Sequence, residues 1–171
     1  MQVALITVGD ELLSGDTVNT NANWLAAELS ERGVAVPRIL SIPDDRGEIA
    51  DRVREYAADF DAVIVTGGIG STPDDVTMEA VADAFDREMG PTDLTRESVE
   101  RRLAAIRERV PDREFDVDVE AEAAVPAGSR PLVTDAGLAP GCVGENVYVM
   151  PGIPVELKAT IEAGADALPG R

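Results

Sequence analysis

The sequence predicts a three-layer α/β domain: a mostly parallel sheet with helices on both faces and one short β excursion. Two observations predict it. Gln2–Val8 (Q-V-A-L-I-T-V) and residues 61–66 (D-A-V-I-V-T) are short, nearly continuous apolar runs that end in Gly-Asp and Gly-Gly, as strands buried on both faces do. Between such runs lie stretches whose apolar residues recur at helical spacing. Strands alternating with helices build a parallel sheet through right-handed crossovers.

The remaining elements follow in order. Ala22, Leu25, Ala26 and Leu29 share one helix face, and Gly33 is a natural C-terminal stop. Residues 34–42 read as a strand. Ile49, Val53, Tyr56, Ala57 and Phe60 form the next helix face, opened by Asp45 with Glu48 three residues on, a capping box. Ala80, Val81, Ala84 and Phe85 make a shorter face, and Val99, Leu103, Ile106 and Val110 another. Residues 112–139, rich in acids, Ala, Pro and Gly, break the rhythm and are expected to hold the β excursion on long connections. Residues 146–150 (N-V-Y-V-M) are the last strand. Leu157, Ile161 and Leu168 form the face of a final helix with Pro154 in its first turn.

Length and composition bound the rest. At 171 residues and 44% hydrophobic the chain buries one sizeable core and is short for two, so residues 1–171 are expected to form a single domain. No stretch approaches the roughly 20 apolar residues of a membrane span, and the opening lacks a basic leader, so a soluble cytoplasmic protein is expected. Cys142 is the only cysteine and there is no histidine. An intramolecular disulfide, the usual zinc ligand sets, and Ser-His or Cys-His nucleophilic pairs are therefore excluded. Chemistry must rest on carboxylates, hydroxyls, backbone amides, Arg, one Lys or a hard metal ion.

The net charge is −18, from 33 acidic and 15 basic residues, and Lys158 is the sole lysine. Such a surface fits a halophilic protein, because molar salt screens self-repulsion over a Debye length of about 3 Å. The alternative is an acidic protein stable in dilute buffer. The missing basic patch argues against nucleic acid and anionic membrane as partners.

Ligands of open α/β sheets sit beyond the carboxyl ends of the strands. Three segments stand there: V-G-D-E-L-L-S-G (8–15), T-G-G-I-G-S-T-P-D-D-V-T (66–77) and M-P-G-I-P-V-E (150–156). In the second, Gly67, Gly68 and Gly70 let the backbone approach a ligand, and Ser71 and Thr72 add hydroxyl donors, which suits a phosphate. It is not a P-loop, having no Gly-Lys-Ser/Thr, and it lacks the third glycine of the dinucleotide fingerprint. An ordinary turn is the competing reading.

Asp74 and Asp75 follow. A carboxylate beside a phosphate is repulsive unless a cation lies between, and magnesium is the usual bridge, so Asp75 is a candidate catalytic residue and metal ligand. A helix N-cap would need only one of the two aspartates. Gly9, Asp10, Glu11, Ser14 and Gly15 place two acids and a turn at the expected mouth of the sheet, with a solvated turn as alternative. Asp44 and Asp45 end a strand and open a helix, so they are caps or site residues. Pro151 and Gly152 open the last helix, where free amides and the dipole favour an anion; the structural alternative is a stiff loop. Lys158, one turn in, is a phosphate contact or, in the plainer reading, a surface residue.

In combination these segments resemble the MoaB/Mog molybdopterin-binding family, and most closely its CinA branch. V-G-D-E-L-L-S-G followed by N-T-N-A-N-W-L-A (19–26) is similar to the CinA-type opening. G-G-I-G-S-T-P-D-D-V-T matches the branch pattern G-G-x-G-x-T-x-D-D-x-T, and D-A-G-L-A-P-G (135–141) with M-P-G-I-P-V-E resembles its closing motifs. The resemblance implies a MoaB/Mog-like fold, a small phosphorylated pterin (molybdopterin) or nucleotide as ligand, magnesium or another divalent metal, and a homo-oligomer, dimer or trimer. It implies phosphoanhydride chemistry. In CinA-type relatives this is hydrolysis of the ADP-ribose pyrophosphate, and in Mog-type relatives it is adenylylation of molybdopterin during molybdenum cofactor biosynthesis. By motif position Asp75 and Asp44 match the family's acids and are the candidate catalytic residues, and Glu11, a second candidate metal ligand, matches the first loop together with Ser14 and Gly15. The reading is a metal-dependent, ADP-ribose pyrophosphatase-like hydrolase; a non-catalytic molybdopterin-binding module and a Mog-like adenylyltransferase are the alternatives. The amidase domain that usually follows in CinA proteins has no counterpart in this sequence, so its activity on nicotinamide mononucleotide is expected to be absent.

Overall fold

A computed structural model describes residues 1–164, 166, 168 and 170. The chain runs β1 (Gln2–Val8), α1 (Asp10–Leu13), α2 (Thr20–Glu31), β2 (Ala35–Ile42), α3 (Arg46–Asp59), β3 (Ala62–Thr66) and α4 (Thr77–Ala84). It continues through β4 (Met89–Pro91), α5 (Asp93–Arg109), α6 (Val119–Glu122), β5 (Ala124–Pro126), β6 (Arg130–Leu132), β7 (Gly141–Gly144), β8 (Val147–Met150) and α7 (Pro154–Ala163). The sheet order is β2-β1-β3-β8-β7-β6, and β4 pairs with β5 in a separate ribbon. β2, β1, β3 and β8 are parallel; β7 lies antiparallel to β8, and β6 antiparallel to β7.

Alternation along the strands makes the three layers. Ala4, Ile6 and Val8 of β1 face one side with Val63 and Val65 of β3, packed on Ile49, Val53 and Val81 of α3 and α4. Val3 and Leu5 face the other with Ile64, packed on Leu25 and Leu29 of α2 and Leu157 and Ile161 of α7. Leu5, Leu25, Ile64 and Leu157 are fully buried, each contributing about 1.5–3 kcal/mol of transfer free energy.

Two local expectations change. Periodicity puts Leu168 on the face of the last helix, but α7 ends at Ala163; Leu168 joins the same core cluster from beyond the helix end. The first half of the box at Asp45 forms, its side chain accepting from the Glu48 amide, while the fully reciprocal box is Thr92 with Thr95 at the start of α5.

Among the described residues no helix is long and apolar enough to cross a membrane. The ion pairs among them are surface pairs such as Arg46–Asp83 and Arg96–Glu120, which contribute little each. Self-repulsion at −18 therefore dominates the surface electrostatics. We expect Tm to rise by about 5 °C or more between 0.1 M and 2 M KCl. A Tm indifferent to salt, measured by circular dichroism, would count against that reading.

Candidate functional site

The parallel strands β1, β3 and β8 all end on one side of the sheet, and a cavity of about 510 Å³ opens there. That volume suits a cofactor-sized ligand. Its walls are Thr7 and Val8 at the end of β1, Thr66 to Ile69 at the end of β3, and Pro151 to Pro154 after β8. Glu11, Asn19, Asn21, Asp75 and Glu156 are among the other residues that line it.

The turn after β3 requires glycine for definite reasons. Gly67 and Gly68 both have left-handed φ, 92° and 66°, where side chains are disfavoured. A Cβ on Gly67 would lie 2.3 Å from the Val8 carbonyl oxygen, and one on Gly68 2.3 Å from Thr77 Oγ1. The turn thus presses bare backbone between β1 and α4. Thr77 Oγ1 is buried beneath it with no hydrogen-bond partner among the described residues.

Asp75 belongs to this turn. Its carboxylate accepts from the Thr72 amide at 3.2 Å and the Thr72 hydroxyl at 2.5 Å, and lies where a Cβ on Gly70 would be, 2.6 Å away. The cap reading of Asp74 and Asp75 is corrected: the N-cap of α4 is Val76, with no side-chain cap bond. Asp75 is oriented by its own loop and lines the cavity.

Of the residues singled out from the sequence, Glu11, Gly67, Gly68, Asp75, Pro151 and Gly152 line the cavity. Gly9, Ser14, Gly15, Gly70, Ser71, Thr72 and Asp44 do not. Gly9 is buried behind, its amide donating to the Ile42 carbonyl, and the Glu11 carboxylate packs over its α-carbon. Ser14 turns away, donating to Asp16, and Gly15 is exposed beside it. Gly70 and Thr72 act at one remove, by shaping and holding Asp75. Ser71 hydrogen-bonds Glu122, a buried carboxyl of α6.

Asp44 pairs with Asp10 across the β1 and β2 ends: the Asp44 amide donates to Asp10 Oδ1 (3.0 Å) and the Asp10 amide to Asp44 Oδ2 (3.2 Å). Burial, followed by the charges of Asp10, Glu11 and Asp74, raises the Asp44 pKa against the lowering effect of the Asp10 amide. Native Asp44 thus holds its proton more tightly than the unfolded chain does, and its contribution to stability is lost as pH rises through the folded value.

Several cavity residues lie outside the set that the sequence singles out. Thr7, Asn19 and Ser41 form a hydrogen-bonded set joining β1, α2 and β2 (Asn19 Nδ2 to Thr7 Oγ1 2.9 Å, to Ser41 Oγ 3.1 Å), and Asn19 Oδ1 caps α2. Asn21 Nδ2 donates to the Gly152 carbonyl at 2.6 Å, tying α2 to the last loop. Asn19 and Asn21 stand in the N-T-N motif, but a polar residue before a helix also reads as a cap.

The electrostatics are one-sided. Glu11, Asp75 and Glu156 line the cavity, and among the described residues none that lines it is Lys or Arg. Lys158 is no exception, its ammonium lying 5.3 Å over the Trp24 ring on the surface. Cys142 is buried, and burial pushes its thiol up to about 12, so it is no nucleophile. Among the described residues no three His, Cys, Asp or Glu converge on one metal position. The oxygen donors Glu11 and Asp75 still fit magnesium, which takes one or two carboxylates and completes its shell with water and ligand oxygens.

Comparison with known proteins identifies the family of the domain. A family model described as a probable molybdopterin-binding domain matches residues 4–169. A protein of Archaeoglobus fulgidus is 40% identical over 162 residues, covering 95% of this chain and 66% of its own length. A CinA-like protein of Citrifermentans bemidjiense is 40% identical over 166 residues, which are 95% of this chain and 39% of that protein. The chain thus spans less than two thirds of the length of both. The crystal structure of CinA from Thermoplasma acidophilum superposes with a TM-score of 0.81 at 32% identity, covering 98% of each chain. MoaB from Thermus thermophilus superposes at 0.65 with 24% identity, over 98% of this chain and 91% of that one, a likeness of fold. With the family model spanning nearly the whole sequence, the chain belongs to the MoaB/Mog family of molybdopterin-binding domains and is similar to its CinA-type members.

Proposed function

We propose that this domain binds a phosphorylated pterin or nucleotide in the cavity through a bridging divalent cation, and cleaves a phosphoanhydride in the manner of an ADP-ribose pyrophosphatase. One observation carries the reading: a cavity walled by the Gly67-Gly68 backbone and three carboxylates, with no basic side chain among the described residues that line it. An anion enters such a site only with a cation between it and the acids.

Glu11 and Asp75 would hold magnesium. When bound it would neutralise charge on the phosphate oxygens and on the bridging oxygen as that oxygen leaves. The chain's own parts supply positioning: the glycine turn admits the phosphates close to backbone, and Thr72 keeps Asp75 in one orientation. Asn19 and Asn21 fix the opposite wall. Incubation with ADP-ribose and magnesium should yield AMP and ribose 5-phosphate, and EDTA should abolish the yield. AMP no higher than from Asp75→Ala would end the hydrolase reading.

The description of the matching family favours a second reading, a molybdopterin-binding module without turnover. It expects pterin affinity that survives removal of both magnesium and the Asp75 charge.

A further inference from the structure

The three carboxylates of the cavity are not equivalent. Asp75 is occupied by the Thr72 amide and hydroxyl, and Glu11 lies exposed at the rim over Gly9. Glu156, in the first turn of α7, lines the same cavity half-buried, and no hydrogen-bond donor among the described residues holds its carboxylate. Its place is set sterically by the turn at Gly137: a Cβ there would lie 2.6 Å from Glu156 Oε2 and 2.7 Å from Cδ. Arg102 of α5 donates to the Ala136 carbonyl of that turn at 3.4 Å, while its Nε is buried without a partner among the described residues. A glycine seat, the carboxylate of a cavity-lining residue and a guanidinium behind the turn make a built position.

From this geometry we infer that Glu156 is the general base of the site, taking the proton from the water that attacks the phosphoanhydride. The inference rests on the hydrolase reading above. As the water oxygen bonds to phosphorus, its O–H bond breaks and the proton passes to a Glu156 oxygen. The bond from phosphorus to the bridging oxygen breaks, the second phosphate departs with the bridging oxygen, and Glu156 returns the proton to solvent. A base must be able to hold a proton near neutrality. Burial raises the Glu156 pKa first; Arg102 on α5 opposes the rise and Glu122 on α6 adds to it.

The test is steady-state hydrolysis of ADP-ribose with magnesium. Glu156→Gln should lower kcat by about 100-fold or more, leave KM within about twofold, and erase the acid limb of the kcat profile. Calorimetric affinity for AMP with magnesium should be unchanged. Gly137→Ala is an independent probe: Gly137 has no left-handed φ, and the three atoms nearest the added methyl all belong to the Glu156 side chain. It should lower kcat at least about tenfold in the wild type and add nothing in Glu156→Gln, a non-additivity expected only if both act at one carboxylate. The assignment is overturned if Glu156→Gln keeps kcat within about threefold, if kcat and AMP affinity fall together, or if Gly137→Ala is fully additive. If wild-type protein binds AMP with magnesium yet releases none from ADP-ribose, the hydrolase reading fails and this role with it. Turnover by wild type with an indifferent Glu156→Gln removes this role alone.

Discussion

Substituting alanine for Gly67 should cost the fold roughly 4 kcal/mol, among the largest losses a single methyl can cause. Part is conformational: φ of 92° is a region that costs an L-residue about 1–2 kcal/mol. The larger part is steric. The new Cβ would sit 2.3 Å from the Val8 carbonyl oxygen, and Val8 is the last residue of the central strand β1, locked to β2 in the ladder. Gly67 cannot retreat, because its amide donates to the Met150 carbonyl at 3.1 Å and its α-carbon lies 3.0 Å from where a Cβ on Gly152 would be. Gly15→Ala is the control. Its φ is also left-handed, 82°, but nothing lies within 4 Å of the added methyl, so only about 1 kcal/mol should be lost. Urea denaturation of both variants reads the difference. Equal losses would mean that the turn at Gly67 is looser than its contacts indicate.

That contrast also marks how far a sequence can be read. The strand ends were legible because β1 and β3 are buried on both faces, and few arrangements besides a buried strand produce a short, continuous apolar run closed by glycine. Gly67 and Gly15 look alike as letters, and only tertiary proximity separates a glycine that β1 demands from one that faces solvent. The residues brought in by the excursion were illegible for a different reason. β4, β5 and β6 have three residues each, too short for periodicity to register. Glu122 of α6 reaches Ser71 across 51 positions, and nothing local distinguishes it from the surface acids around it. Glu156 stands inside a recognisable motif, yet a glutamate in the first turn of a helix is favourable for the dipole alone. The seat at Gly137 is what gives it a second meaning.

Removing the charge of Asp75 should lower kcat/KM for ADP-ribose by about 1,000-fold, the scale of losing one preorganised charge interaction at a reacting phosphate. Two substitutions separate charge from architecture. Asp75→Ala deletes the acceptor that the Thr72 amide and hydroxyl share, so it frees the turn as well as removing the charge. Asp75→Asn keeps an amide oxygen for Thr72 and removes only the charge. If the carboxylate acts through a bound cation, both variants should lose turnover alike, and AMP affinity should lose its response to magnesium. If it acts by shaping the turn, Asp75→Asn should retain most of the activity. Stability should change by less than about 1 kcal/mol in either variant, because the side chain is partly exposed and caps no helix. A wild type without turnover, whose pterin affinity survives Asp75→Asn and EDTA, would favour the binding module. The three cavity carboxylates would then need another source of neutralisation, and among the described residues of its wall no basic side chain offers one.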